Sequence, residues 1–188
     1  VCLFLMDKSS IQEDTEKELG IGEVSKRVKK DQTEEMKPAL VFRIIKKYKR
    51  ARTSIMTLPH GDVNLPVWMP VGTKGAIKGL TAKQMEDLEC RLLLGNTYHL
   101  GYKPGGEVLE EVGGLHKFAN WKYNILTDSG GFQMVSLSKL CTITEEGVEF
   151  TNPFDGSLMK MRPEDSMRIQ NQIGGDIMMA LDDVVQTT

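Results

Sequence analysis

Cysteine is scarce in these 188 residues: Cys2, Cys90 and Cys141 stand far apart and form no C-x-x-C pair. That excludes a disulfide-stapled scaffold and a local cysteine metal motif, and it fits free thiols in a reducing compartment. Histidine is equally sparse, and His60, His99 and His116 show no metal-ligand spacing. No apolar run approaches the roughly 20 residues that a bilayer-spanning helix requires. The run Val1 to Met6 is too short for a signal-peptide core, and acidic residues follow it. The chain does not begin with Met, so the expectation is a fragment or processed piece of an intracellular, cytoplasmic protein. An excess of one charge is also missing. The formal net charge of −2 gives no support to a generic, strongly basic nucleic-acid binder.

What is present is ordinary for a globular protein. Apolar residues make up 40% and charged residues 27%, and the length suits one domain or a large part of a bigger one. Residues 1–38 differ, with seven Lys/Arg, nine Asp/Glu and one aromatic, Phe4. Such a segment buries too little apolar surface to offset its ordering entropy, and a mobile tail or weak helix is expected.

From Ala39 onward the pattern changes. Ala39 to Ile45, Thr53 to Thr57 and Val63 to Val67 are β-prone, with turn chemistry at Pro59-His60-Gly61-Asp62, so antiparallel hairpins are expected first. Apolar runs then alternate with helical stretches. Val67 to Val71, Arg91 to Leu94, Asn124 to Thr127 and Ile177 to Leu181 are the expected strands. Thr81 with Gln84 forms a capping-box signature, Glu107 to Val112 is helical, and Pro163-Glu164-Asp165 opens a helix that Gly174-Gly175 ends. A hairpin excursion occupies much of 134–162. The alternation predicts βα units on a parallel sheet, with polar groups gathered where strands end, the place such folds put their sites.

Asp128-Ser129-Gly130-Gly131-Phe132-Gln133 is the sharpest of these strand ends. A carboxylate there, two glycines that let a ligand approach the backbone, and a flat Phe132 suit a planar base. A tight turn capped by Asp128 is the structural alternative. Asp182-Asp183 could accept hydrogen bonds from a purine edge or form a solvated acidic turn. Asn96, in Gly95-Asn96-Thr97-Tyr98-His99, could bind a sugar hydroxyl or cap the backbone. Six cations between Arg43 and Arg52 could touch phosphate or line a solvated strand face.

Taken together, three segments carry a resemblance. Met69-Pro70-Val71-Gly72-Thr73, Leu94-Gly95-Asn96-Thr97-Tyr98-His99-Leu100 and Leu126-Thr127-Asp128-Ser129-Gly130-Gly131-Phe132-Gln133 stand in the order and spacing of the queuine tRNA-ribosyltransferase family. Pro104-Gly105, Gly114 to Phe118 and Asp176 to Asp182 also fit. The likeness covers residues 39–188 and resembles the N-terminal half of a eukaryotic-type catalytic subunit.

The resemblance implies a (β/α)₈ TIM barrel, incomplete in this chain, preceded by an antiparallel β-hairpin segment. It implies exchange of guanine at the anticodon wobble position of tRNA, G34, for queuine, through a covalent ribosyl-enzyme. Asp128 would be the general acid/base, Ser129, Gly130, Gly131 and Phe132 would line the base site, and Asp182 would bind the purine edge. Asp182-Asp183-Val184 resembles queuine users rather than bacterial members, which carry Asp-Glu-Cys there. The resemblance places the nucleophile and a Cys/Cys/Cys/His zinc site beyond this chain, so zinc is expected in the full-length protein with no ligand here. A heterodimer with a non-catalytic paralogous subunit is implied. A half barrel would expose sheet edges, so the piece alone is expected to be inactive and poorly soluble, or to bind a partner. The alternatives are a non-catalytic tRNA-binding accessory subunit, an inactive fragment of the same family, or another barrel enzyme.

Overall fold

The computed structural model describes residues 3–4, 38–133, 141–152 and 156–182. The elements in chain order are β1 (Leu3–Phe4), β2 (Val41–Tyr48), β3 (Ala51–Leu58), β4 (Gly61–Leu65), α1 (Ala82–Asp87), β5 (Leu92–Gly95) and α2 (Thr97–Leu100). After an irregular π-type turn at Gly101–Gly105 come α3 (Gly106–Glu111), α4 (Leu115–Phe118), β6 (Asn124–Thr127), β7 (Cys141–Thr144), β8 (Gly147–Thr151), β9 (Leu158–Met161), α5 (Pro163–Ile173) and β10 (Ile177–Met179). They form a mixed α/β structure. One sheet has the order β1-β10-β6-β5, and two three-stranded antiparallel sheets are β2-β3-β4 and β7-β8-β9. No barrel closes among the described residues.

The central strands β5, β6 and β10 run parallel. Their sequences are almost continuously apolar because both sheet faces are covered. Leu93 and Ile125 face a core of Met85, Leu100, Leu109, Leu115, Trp121 and Ile173, contributed largely by the helices and turns. On the other side Leu92, Leu126 and Ile177 pack against Leu58 and Val63 of the hairpin sheet. A third cluster joins Val148, Phe150 and Met161 to Tyr98 of α2.

Local sequence explains most boundaries. Thr81 caps α1 reciprocally: Gln84 N–H donates to Thr81 Oγ1 (3.2 Å), and Thr81 N–H donates to Gln84 Oε1 (2.9 Å). Pro163 begins α5, where Arg162 N–H and Nε donate to Asp165. The Arg162 guanidinium is the main reason that the Asp165 carboxyl is lowered to about 2. Gly174 ends α5 in the left-handed region at φ 76°.

One expectation differs from the structure. Val67 to Val71 contributes a single parallel bridge, Val71 to Leu94, rather than a strand. Pro66 and Pro70 lack N–H donors, so the stretch cannot hold a full ladder, and Trp68 is exposed. The charged segment 1–38 is described at Leu3, Phe4 and Pro38, and Leu3–Phe4 pairs antiparallel with β10.

The hairpin sheet is fastened to the start of the parallel strands. His60 N–H donates to Asn124 Oδ1 (3.2 Å), and Asn124 Nδ2 donates to the Gly61 carbonyl (3.0 Å). The side chain of Asp176, 2% exposed, lies 2.5 Å from His60 Nδ1 and 3.2 Å from His116 Nε2. It also accepts the Ile125 N–H (2.8 Å). Burial pushes this carboxyl up, but the donors His116, His60 and Ile125 outweigh it, and it titrates below its ordinary value.

A depressed folded-state value means that ionised Asp176 stabilises the fold above the ordinary carboxylate range, about pH 4. The contribution disappears as pH falls through the folded-state value. Unfolding measured from neutral pH into acid should therefore show the stability gap between wild type and Asp176→Asn narrowing below about pH 4. A gap that stays constant over that range would refute the role given to Asp176.

Candidate active site at the ends of the parallel strands

The register sets which residues meet. Leu94 is level with Leu126, Gly95 with Thr127, Leu126 with Ile177, and Thr127 with Met178. The three strands therefore end together. Asn96, Asp128 and Asp182 all follow at the same edge of the sheet, opposite the edge fastened by His60 and Asp176.

Asp128 is held by three N–H donors. Asn96 Nδ2 (2.6 Å) and Gln133 Nε2 (3.1 Å) donate to its Oδ2, and the Thr97 N–H (2.8 Å) donates to its Oδ1. The Asp128 N–H donates to the Gly95 carbonyl (3.1 Å), and Thr97 Oγ1 donates to the Asp128 carbonyl (2.5 Å). Both the backbone and the carboxylate of this residue are thus fixed from the neighbouring β5 end. The carboxylate stays half-buried, within reach of a ligand.

The glycine turn ties Asp128 to Asp182. Ser129 Oγ donates to Asp182 Oδ1 (2.8 Å) and accepts the Gly131 N–H (3.2 Å). At Gly131 a Cβ would sit 2.9 Å from the Asp182 carbonyl oxygen, so only glycine permits this approach. Gly130 takes φ 83° and turns the chain. Asp182 is exposed, and Phe132 is 62% exposed, a flat apolar ring open to solvent.

Behind these loops lies a buried polar brace. Gln170, 0% exposed, donates from Nε2 to the Met179 carbonyl (2.8 Å) and Ser166 Oγ (3.0 Å). Its Oε1 accepts from Met179 N–H (3.0 Å) and Thr127 Oγ1 (2.8 Å). Ser166 Oγ in turn donates to the Ser129 carbonyl (2.7 Å). One amide therefore clamps the ends of β6 and β10 and, through Ser166, the turn after Asp128.

All seven residues singled out in the sequence come to this edge. Asn96 differs in use: its amide donates to Asp128 rather than standing free toward a sugar. The second acid of the pair, Asp183, lies outside the described residues. Thr97, Gln133, Ser166 and Gln170 were missed. Thr97 and Gln133 lie inside the quoted motifs. The spacing of Ser166, Gln170 and Ile173 along one face of α5 was the available signal for the other two.

Two surface cavities lie elsewhere. One of about 880 Å³ lies against α5 and Glu110, lined by Met167, Arg168, Asn171 and Gln172. Another lies beside His60 and His116. The strand-end chemistry outweighs cavity size here, because a fan of three parallel strands walls a site from one side only.

His60, His116 and Asp176 are the metal-ligand-type group among the described residues. The two rings stack at 3.8 Å with 17° between planes, and each turns one nitrogen to the Asp176 carboxylate, which also accepts the Ile125 N–H.

Comparison with known proteins gives the family. The family model for queuine tRNA-ribosyltransferase matches residues 47–188. The chain belongs to that family. The queuine tRNA-ribosyltransferase catalytic subunit of Schizosaccharomyces pombe is 57% identical over 152 residues, covering 80% of this chain and 38% of the relative. The Caenorhabditis elegans catalytic subunit is 55% identical over 135 residues, covering 72% and 34%. A Staphylococcus aureus queuine tRNA-ribosyltransferase is 50% identical over 148 residues, covering 78% and 39%. The chain thus spans well under half the length of these family members. No helix among the described residues is long and apolar enough to cross a membrane.

Replacing Gln170 with Leu would strand the Met179 N–H and carbonyl and leave the Thr127 and Ser166 hydroxyls with one partner fewer each. Each buried unsatisfied group costs about 1–3 kcal/mol. Gln170→Leu should therefore lower the unfolding midpoint in urea by far more than an exposed substitution such as Lys122→Gln. Equal midpoints would contradict the brace.

Proposed function

We propose that this chain forms the acid/base and base-binding part of a tRNA-guanine transglycosylase, one that exchanges guanine 34 of tRNA for queuine. The reading assigns residues 39–188 to the first strands of a (β/α)₈ barrel with its hairpin segment, and 1–38 to a separate tail. The observation that carries it is Asp128, a half-buried carboxylate at a parallel-strand end, aimed by Asn96, Thr97 and Gln133 and joined through Ser129 to Asp182.

The chemistry follows from what a glycosidic exchange needs. Displacement at the ribose C1′ requires a proton on the departing guanine and removal of one from the incoming base. A fixed carboxylate can do both in turn, as in retaining glycoside hydrolysis. Asp128 holds that role. Its three N–H donors keep the carboxylate in one orientation through both half-reactions, which spares reorganisation in the transition state. The nucleophile that forms the covalent ribosyl-enzyme is assigned to residues outside 1–188, as the resemblance implies.

Asp182 accepts from the N–H groups of the purine edge, with Ser129 Oγ fixing its orientation. Phe132 and the Gly130-Gly131 backbone supply a flat wall for a base flipped from the anticodon stack. Asn96 positions Asp128 and stands next to where the ribose must lie. Zinc, expected in the full-length protein, would be held by residues outside 1–188, as the resemblance implies. Partners under this reading are tRNA with G34, queuine and a non-catalytic paralogous subunit, in the cytoplasm.

The test is labelled-guanine exchange into tRNA by the full-length protein with its partner. Asp128→Asn keeps size and most hydrogen bonding but removes the proton acceptor. Exchange should fall by at least about 10²-fold, the usual scale of acid/base loss, while tRNA affinity stays within a few-fold of wild type. Exchange at wild-type rate in this variant would end the acid/base assignment.

A further inference from the structure

The hairpin of β2 and β3 takes no part in the strand-end site, and its charge is unusual. Between Glu35 and Asp62 the chain contains no acidic residue. Arg43, Lys46, Lys47, Lys49, Arg50 and Arg52 put a quarter of the 24 Lys+Arg into ten residues. All six are exposed. Among the described residues none of them forms an ion pair; the lysines and arginines that do are Lys83, Lys122, Lys160, Arg162 and Arg168. The acid of the same sheet, Asp62, accepts from Thr57 Oγ1 (2.6 Å) at the far end of the hairpin.

The pairing concentrates this charge further. Lys47 is directly opposite Arg52 across the two strands, a like-charge pair that costs stability. The irregularity between Ile44 and Lys46 shifts the register just before it. Tyr48, 71% exposed, stands beside the tip with Lys49 Nζ 5.6 Å from its ring centre. Unneutralised, crowded cations flanking an exposed aromatic ring match a phosphate backbone with a base available for stacking.

The cationic tip and the fastened turn lie at opposite ends of β3. His60, just after β3, is held by Asn124 and Asp176, whereas Tyr48 to Arg52 lie at the start of this eight-residue strand, roughly 26 Å along it. The base-site residues Asp128 and Asp182 are bonded instead to Asn96, Thr97, Gln133 and Ser129. We propose that the β2–β3 hairpin is an RNA-binding arm that grips the tRNA phosphate backbone away from the anticodon base. This rests on the transglycosylase reading for the identity of the RNA. The arm supplies affinity without base specificity, so its signature is salt dependence.

The experiment uses full-length protein and unmodified tRNA, with affinity measured over a series of salt concentrations. The variant carries Lys46→Gln, Lys47→Gln, Lys49→Gln and Arg50→Gln, and a second variant carries only Lys49→Gln and Arg50→Gln at the tip. The expected result is tRNA binding weakened about tenfold or more at low salt. The slope of log affinity against log salt should shrink by about 2–3 in the first variant and about 1–2 in the second. Unchanged affinity and slope in both variants would overturn the arm. So would weaker binding with an unchanged slope, or a defect confined to an acidic protein partner. If the wild-type protein exchanges guanine while both variants bind normally, the arm alone falls. If the wild type neither binds tRNA nor exchanges guanine, the transglycosylase reading falls with it.

Discussion

Everything at the candidate site rests on three short parallel strands ending level with one another. β5, β6 and β10 contribute only a few residues each, and a slip of one residue would turn Asp128 to the other face of the sheet. Backbone pairing across so few positions is a weak restraint. The stronger one is the Gln170 amide, which bonds to both backbone groups of Met179 and to Thr127 at once. A helix residue thereby sets the height at which two strands stop. The apolar clusters then hold the helix in place, through Ile169 and Ile173 against Leu100 and Leu109.

The two ends of the sheet use polar groups for different purposes. At the start of the strands His60, His116 and Asn124 saturate one another and Asp176, and the result is a joint between layers. At the finish, Asn96, Thr97 and Gln133 converge on one carboxylate that keeps part of its surface open. Donor count is similar in both places, but accessibility differs: the Asp176 side chain is 2% exposed and Asp128 is half-buried. A carboxylate enclosed by its donors cements structure, whereas one that is aimed but reachable can take part in proton transfer.

Much of this was readable from residue order. The Thr81–Gln84 cap, the strand Asn124 to Thr127, the Pro163 helix and its Gly174 stop follow from local chemistry, and each appears where that chemistry puts it. The Asp-Ser-Gly-Gly-Phe motif pointed to the candidate site because strand ends and paired glycines are local signals. Contacts between distant residues were not readable. His60 and Asp176 are 116 positions apart, and neither carries a mark of its partner. Gln170 is polar, and its hydrogen-bond partners in Thr127, Ser166 and Met179 are set by the fold rather than by local sequence. Val67 to Val71 misled because its apolar character outweighed the two prolines that remove its donors. Closure of a barrel is a property of strand number, which the described residues do not reach.

β2 also forms the outer edge of its sheet, with no strand beyond it among the described residues. An open edge carrying Val41, Phe42, Ile44 and Ile45 is the kind of template on which other chains stack into aggregates. Here the register irregularity at Ile44/Lys46 bends the ladder, and lysines stand next in line. Two copies approaching edge to edge would meet misaligned donors and repelling ammonium groups. The same residues that crowd charge onto the hairpin thus oppose edge-to-edge pairing of a greasy strand.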